Sequence, residues 1–467
     1  MLNRIVAPGR ALGFLPRRAL GLAAVAALLP LAACNLDEAL QVEDPFTVTP
    51  GTARDTTNLP NTYAGARARF ATAIGGRQNR EGGLVLQSAT FTDELVDSDG
   101  FSTRQSLDRR RPTETNAAVS DPYTYLQRAR AEAINAAGMF ASTSQAGSDL
   151  HVNLYNIIGY SELLLAESFC SGVPLSLVDV NGQFVPSAGQ PTAAVLDSAI
   201  AAFDQAVALA GSSYPTEVNL AHVGKARALM FKGDYTGAAA VAALVPDGFR
   251  YFIEYDPATQ DSYNAVEELL NEEKRWSTVD KEGTNGLDYM SAHDPRTPWG
   301  SATGTLYAPN GDGPTSAADG GIHFSQLKYP SRGSDVLLAS GMEARYIQAE
   351  AALKAGNAAS ALTFVNAARA ANNVGLTALT AAQFGATASA QALTLFRERA
   401  FSLWLTAHRL GDLRRMQKFF GFTQNQIWPI GVDRRGDAYG TDVALTIPQE
   451  ERNNPLFTGC LTPATEP

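Results

Sequence analysis

The five histidines of the 467-residue chain are His151, His222, His293, His323 and His408. No two are spaced to set both rings on one helix face, so no metal site is expected. There is no Gly-x-Ser-x-Gly elbow, no Gly-x-x-x-x-Gly-Lys-Ser/Thr phosphate loop and no dinucleotide fingerprint after a strand. Asp97-Ser98-Asp99-Gly100 and Asn310-Gly311-Asp312-Gly313 offer oxygen ligands. Leu95 stands where the first would need an earlier ligand and the second lacks a distal glutamate, so both read as turns. Glu267, Glu268, Glu272 and Glu273 are close enough to raise the question of paired carboxylates, but their spacing is better met by the solvated face of a helix. Nothing in this inventory argues for bond chemistry, and the expectation is a protein that is not an enzyme and needs no cofactor.

The densest chemistry is cationic. Residues 396–416, FRERAFSLWLTAHRLGDLRRM, hold Arg397, Arg399, Arg409, Arg414 and Arg415 in a chain of formal charge −10. Such a cluster could grip nucleic acid, hold a substrate phosphate or brace the fold through ion pairs. The acidic balance disfavours the first, because nucleic-acid affinity comes mainly from cations that displace counterions. Phe396, Ala400, Leu403, Ala407 and Leu410 recur at helical steps, so one amphipathic helix with the arginines beside its apolar stripe is expected. Asp412 lies three residues from both Arg409 and Arg415, the spacing of an ion pair on one helix face.

The elements that must carry these groups are mostly helical. Leu196, Ile200, Phe203 and Val207 predict an amphipathic helix over 192–210, and Leu154, Ile158, Leu165 and Phe169 predict another over 151–169. Residues 221–245 and 345–369 resemble each other as helical hairpins. Each has an Ala-rich helix, then Gly233 or Gly356, then Ala238 or Ala361 five residues later, the small-residue pattern of a tetratricopeptide repeat. Between them, about 246–341 is dense in Gly, Pro, Asp and aromatics and reads as a long irregular segment, which in a helical protein points to function.

The N-terminus is a basic region followed by a short apolar run that ends Leu31-Ala32-Ala33-Cys34. It resembles the signal peptide and lipobox of bacterial lipoproteins, with cleavage after residue 33 and a diacylglycerol on Cys34. Removing residues 1–33 takes away four arginines and leaves a formal −14. Asn35 rather than Asp follows the cysteine, which implies an outer-membrane, lipid-anchored destination, with the Asp37-Glu38 pair pointing to the cell surface of a Gram-negative bacterium. Residues 34–60 read as a tether and 61–467 as the helical domain. Cys170 and Cys460 remain as an even pair in an oxidising compartment, either bonded or separately buried.

Several motifs fall in one order along the chain. Arg397-Glu398-Arg399 runs into Asp412-Leu413-Arg414-Arg415; Arg345 precedes Ala349-Glu350-Ala351; Ile447-Pro448-Gln449-Glu450-Glu451 precedes Asn454-Pro455. With Thr92-Asp93-Glu94 and Asp294-Pro295-Arg296, these resemble the SusD/RagB family of nutrient-uptake outer-membrane lipoproteins. The resemblance implies a mostly α, SusD-like fold with about four tetratricopeptide-like helix pairs supporting long irregular loops. It further implies capture of an oligosaccharide for delivery to a SusC-like TonB-dependent transporter. Trp276, Tyr289, Trp299 and Tyr307 in the long segment are then the aromatics that could stack on sugar rings. A peptide ligand, or a helical-repeat scaffold of the envelope, would suit the same sequence.

Overall fold

The computed structural model describes residues 58–77, 81–179, 182–300 and 315–467. The leader, Cys34, nearly all of the 34–60 tether, Tyr307 and the 310–313 turn lie outside the described residues. The principal helices are α1 (Leu59–Gly75), α2 (Leu84–Phe91), α3 (Ser102–Asp108), α4 (Ala117–Ala141), α5 (Asp149–Ser168) and α6 (Thr192–Ala210). They continue with α7 (Pro215–Lys232), α8 (Tyr235–Ala242), α9 (Gly341–Lys354), α10 (Ala358–Ala371), α11 (Ala388–Ser402) and α12 (Arg409–Phe420). Four pairs form, α1 with α4, α5 with α6, α7 with α8 and α9 with α10, and α4–α5, α6–α7 and α8–α9 contacts join each pair to the next.

Burial follows the sequence periodicity. On α6, Leu196 and Phe203 are fully buried, while Ile200 and Val207 pack partly buried against the core. Helix α5 is buried around nearly its whole circumference, as a helix in the middle of the stack must be. Close approach on both sides of α6 depends on two glycines. A Cβ at Gly159 of α5 or Gly224 of α7 would lie 2.6 Å or 2.3 Å from the Phe203 ring, so the ring fills the space their missing side chains leave.

The two predicted hairpins share their turn chemistry. Gly233 (φ +90°) ends α7 in the left-handed region, and the Asp234 side chain then accepts from the Gly237 amide at 2.8 Å to cap α8. Gly356 (φ +75°) precedes Asn357, which caps α10 by accepting from Ser360 N at 3.0 Å. Ala238 and Ala361 are both fully buried, in the small-residue positions that let paired helices approach.

Short antiparallel strand pairs organise the non-helical part. They are built from β1 (Leu95–Asp97), β2 (Arg250–Ile253), β3 (Trp276–Thr278), β4 (Trp299–Gly300), β5 (Ser325–Gln326) and β6 (Val336–Ser340). β1 pairs with β3, β6 with β2 and β5 with β4. Much of the 246–341 segment is therefore pinned by backbone hydrogen bonds. Of the four glutamates Glu267, Glu268, Glu272 and Glu273, only Glu272 is exposed, and the first two do not sit on a solvated helical face. Only Ala265–Glu267 is α-helical before a π turn at Glu268–Glu272, and Glu267 and Glu268 are buried with Leu269 and Leu270. Burial, then the neighbouring Glu272, pushes Glu267 up to about 7.

The arginine-rich stretch is two helices rather than one. α11 stops at Ser402 and α12 starts at Arg409, with Leu405 (φ +53°) and Ala407 (φ +60°) in the left-handed region between them. Tertiary partners take the backbone groups a continuous helix would have used. Leu405 N donates to Glu94 Oε1 at 2.9 Å, and Tyr329 Oη donates to the Leu405 carbonyl at 2.7 Å. All five stripe residues are buried even so. Cys170, just past α5, is bonded to Cys460, with Cα atoms 5.9 Å apart across 290 residues of sequence.

Candidate functional site

The arginines of α11 and α12 meet carboxylates inside the protein. Arg399 Nε lies 2.9 Å and 3.1 Å from the two Asp412 oxygens. Asp412 Oδ1 also accepts from Arg415 Nη2 at 2.7 Å, and Arg415 forks onto Glu350 at 2.9 Å and 3.1 Å. Arg409 does not pair with Asp412; it grips Asp93 with two bonds of 2.7 Å and 2.8 Å, because the break before α12 turns its side chain toward the end of α2. Arg414 donates to the carbonyls of Ala166 (3.1 Å), Glu167 (2.7 Å) and Phe169 (3.3 Å), satisfying the C-terminus of α5. Against the upward push of burial, Arg399 and Arg415 hold the Asp412 carboxyl at about 2. His408, with Arg227 and Arg399, holds Glu343 at about 2 in the same way. These guanidiniums are consumed by the fold and present nothing to a ligand.

The other side of α11 fixes a loop. Arg296 is held by Asp294 (2.9 Å and 2.7 Å) and reaches Glu398 Oε2 at 2.7 Å and Ser402 Oγ at 3.1 Å. Glu398 also binds Arg369, and Arg397 pairs with Asp288 at 3.0 Å while lying 4.2 Å from the centroid of the Phe401 ring. Between these anchors Tyr289 is buried and stacks on Phe401, with ring centroids 5.1 Å apart. Residues 288–299 are thus clamped onto α11 by buried charge, and they deliver His293 and Trp299 to a cleft.

That cleft has a volume of about 540 Å³, runs over β1 and β3, and is lined mainly by apolar groups including Trp299, Phe324 and Ile322, with Asp280, Ser291 and Arg434 also in its lining. Trp299 is half-buried; its Nε1 donates to the Met290 carbonyl at 3.1 Å and its ring meets Phe324 edge-on at 5.6 Å. Ile322 is 58% exposed. Asp280 Oδ1 accepts from Met290 N at 3.0 Å and Ser291 N at 2.9 Å, which fixes the Asp280 carboxylate at the cleft. A fixed aromatic ring beside carboxylate, hydroxyl and guanidinium groups suits a ligand with apolar faces and hydroxyl edges.

Of the four aromatics named from sequence, Trp299 is at this cleft and Tyr307 lies outside the described residues. Trp276 and Tyr289 cannot stack on a ligand. Trp276 is fully buried with the Arg104 guanidinium 4.5 Å from its ring centroid, and Tyr289 is closed in by Phe401 and Trp404. Sequence reasoning missed Phe101, which is 53% exposed in a second cleft of about 360 Å³. The Arg104 and Arg275 guanidiniums lie 5.0 Å and 5.7 Å from its ring centroid. A phenylalanine following the acidic turn 97–100 was the available signal.

No protein-family model matches the sequence, and no curated protein matches it. Solved structures do match in shape. A SusD superfamily protein from Parabacteroides distasonis superposes with a TM-score of 0.64 at 13% identity, covering 86% of this chain and 98% of that one. A SusD-like carbohydrate binding protein from Bacteroides vulgatus gives 0.60 at 11% identity, over 86% and 97%. Surface glycan-binding protein A from Bacteroides uniformis gives 0.62 at 13% identity, over 88% and 100%. At these identities it is the fold that is shared.

Proposed function

We propose, from the premise that this chain has the SusD fold, that it is a cell-surface binding lipoprotein that captures oligosaccharide in the cleft beside Trp299. The observation that carries this reading is the half-buried Trp299, held by a loop that buried ion pairs clamp to α11, over a cleft whose lining also includes Asp280, Ser291 and Arg434. Two of the matching structures are described as carbohydrate binding or glycan-binding, which supports the ligand class. The protein binds and releases without breaking bonds. Cys34 carries the lipid that anchors it to the outer membrane, and a SusC-like TonB-dependent transporter receives the glycan.

Calorimetric titration against a panel of neutral and acidic oligosaccharides and of peptides tests the binding reading. We expect glycan binding by the wild type and at least about tenfold weaker binding by Trp299→Ala, the loss of one aromatic stacking contact plus its apolar burial. Binding of peptides alone, or identical affinity in the variant, would remove the cleft from consideration. Palmitate labelling of the wild type against Cys34→Ala tests the anchor, and co-purification from membranes with a TonB-dependent transporter tests the partner.

A further inference from the structure

Pro429 to Asp442 crosses the protein as a strap with a single internal β-bridge, Val432 to Ala438. From α3 and the residues after it, Arg109 pairs with Asp433 (2.8 Å) and Asp437 (2.6 Å). Arg110 donates to the carbonyls of Pro429 (3.0 Å), Gly440 (2.7 Å) and Asp442 (3.0 Å). In the opposite direction Arg434, a wall of the Trp299 cleft, pairs with Asp319, and Arg435 reaches Asp97 (2.9 Å), Asp319 (2.8 Å) and the Asp99 carbonyl (2.9 Å).

Beneath the strap lie three buried carboxylates, Asp97 of β1, Asp108 of α3 and Glu282. Asp108 Oδ2 accepts from Asp97 N at 3.1 Å, while Asp108 Oδ1 has no hydrogen-bond partner. Glu282 accepts from the Tyr439 hydroxyl of the strap. The charged groups that face this cluster are Asp99 beside β1, Asp93 after α2, already gripped by Arg409, and Asp433, Arg434 and Arg435 of the strap. Four carboxylates that include the strap's Asp433 thus share chiefly Arg435, Arg434 and Arg109, all of which also serve Asp319 or Asp437.

We propose that residues 429–442 are a pH-sensitive clasp on the cleft wall, seated while the buried carboxylates beneath carry protons and loosened as those carboxylates ionise. Burial pushes Asp97 up to about 7. Burial, with Glu282 and Asp97 as like-charged neighbours, lifts Asp108, and burial lifts Glu282. Against burial, Arg109 holds Asp433 below the usual carboxylate range, so the strap's own acid stays ionised. A raised carboxyl favours the seated state fully below its ordinary pKa and loses that advantage as pH climbs toward the raised value, so through Asp97 the clasp is firmest in acid, loosens as pH rises to about 7 and levels off above it. This inference does not depend on which ligand the cleft takes.

Hydrogen exchange of the wild-type chain from pH 6 to 8, corrected for the intrinsic rate, tests it on the Tyr439 amide (3.1 Å to the Gly431 carbonyl) and the Gly440 amide (2.6 Å to the Arg109 carbonyl). Asp97 alone predicts about tenfold less protection at pH 8 than at pH 6, confined to the strap, with α5 amides unchanged. Flat strap protection, or an equal loss in α5, overturns the proposal. Asp108→Asn removes one titrating group and is expected to flatten the profile; an unchanged slope in a folded variant also overturns it. If that variant does not fold, the wild-type profile decides.

Discussion

Replacing Arg415 by alanine separates bracing from binding. Its guanidinium is fully buried and makes two bonds to Glu350 and one to Asp412. Asp412 would keep both contacts to Arg399, whereas Glu350 would keep only the Tyr235 hydroxyl, at 3.3 Å. The loss therefore falls on Glu350, a fully buried carboxylate left almost without compensation. Breaking a buried pair in this way costs about 3 to 5 kcal/mol. Unfolding entropy of about 2 cal/mol/K per residue, over about 400 residues, converts each kcal/mol into about 1 °C, so a fall in Tm of about 3 to 5 °C is expected by calorimetry. Adding Glu350→Gln neutralises the stranded charge and should return part of that loss. Ligand affinity per folded molecule should not change, because no arginine of this network reaches the cleft. A Tm within 1 °C of the wild type, or weaker binding by the folded variant, would refute the reasoning.

Arg296→Ala should differ from Arg415→Ala by weakening glycan binding as well as stability, because it frees the 288–299 loop from Glu398 and Ser402; parallel melts and titrations distinguish the two. Cys460→Ser opens a covalent link across 290 residues and should cost about 2 to 5 kcal/mol, measured by denaturant unfolding under oxidising conditions. Acid should destabilise the protein through Asp412 and Glu343. Both are held at about 2, so their contribution, about 2 to 3 kcal/mol each, is complete above about pH 4.5 and is lost as pH falls toward 2. Unfolding measured at pH 6, 4 and 3 checks that slope.

Periodicity made the helices legible. The span 192–210 is reproduced to the residue, and the Gly233 and Gly356 hairpins close as their turn residues require, because local chemistry decides both. The single C-terminal helix was not legible as two. The break at Leu405 depends on Glu94 and Tyr329, distant in sequence, and the partner of Arg409 is Asp93, 316 positions away. Aromatic roles were hidden for the same reason. Trp276 and Trp299 look alike in sequence, yet Arg104 and the core close over the first while the clamped loop presents the second. Glu267 and Glu268 read as solvated because adjacent charges usually are; the π turn that buries them carries no periodic signal.

The sequence distances within the ionic network also set an order of assembly. Asp93 and Glu350 are synthesised well before Arg409 and Arg415, and Arg414 satisfies carbonyls at residues 166–169 from nearly 250 positions downstream. A chain emerging from its N-terminus can wind α1 to α10 locally, with Glu162 and Glu167 already meeting Arg130 and Arg227, but Asp93, Glu350 and the end of α5 lack their arginines until α12 arrives. Completion of the native state therefore waits on the last eighth of the polypeptide, and truncation anywhere before Arg409 should yield a helical but loosely packed product.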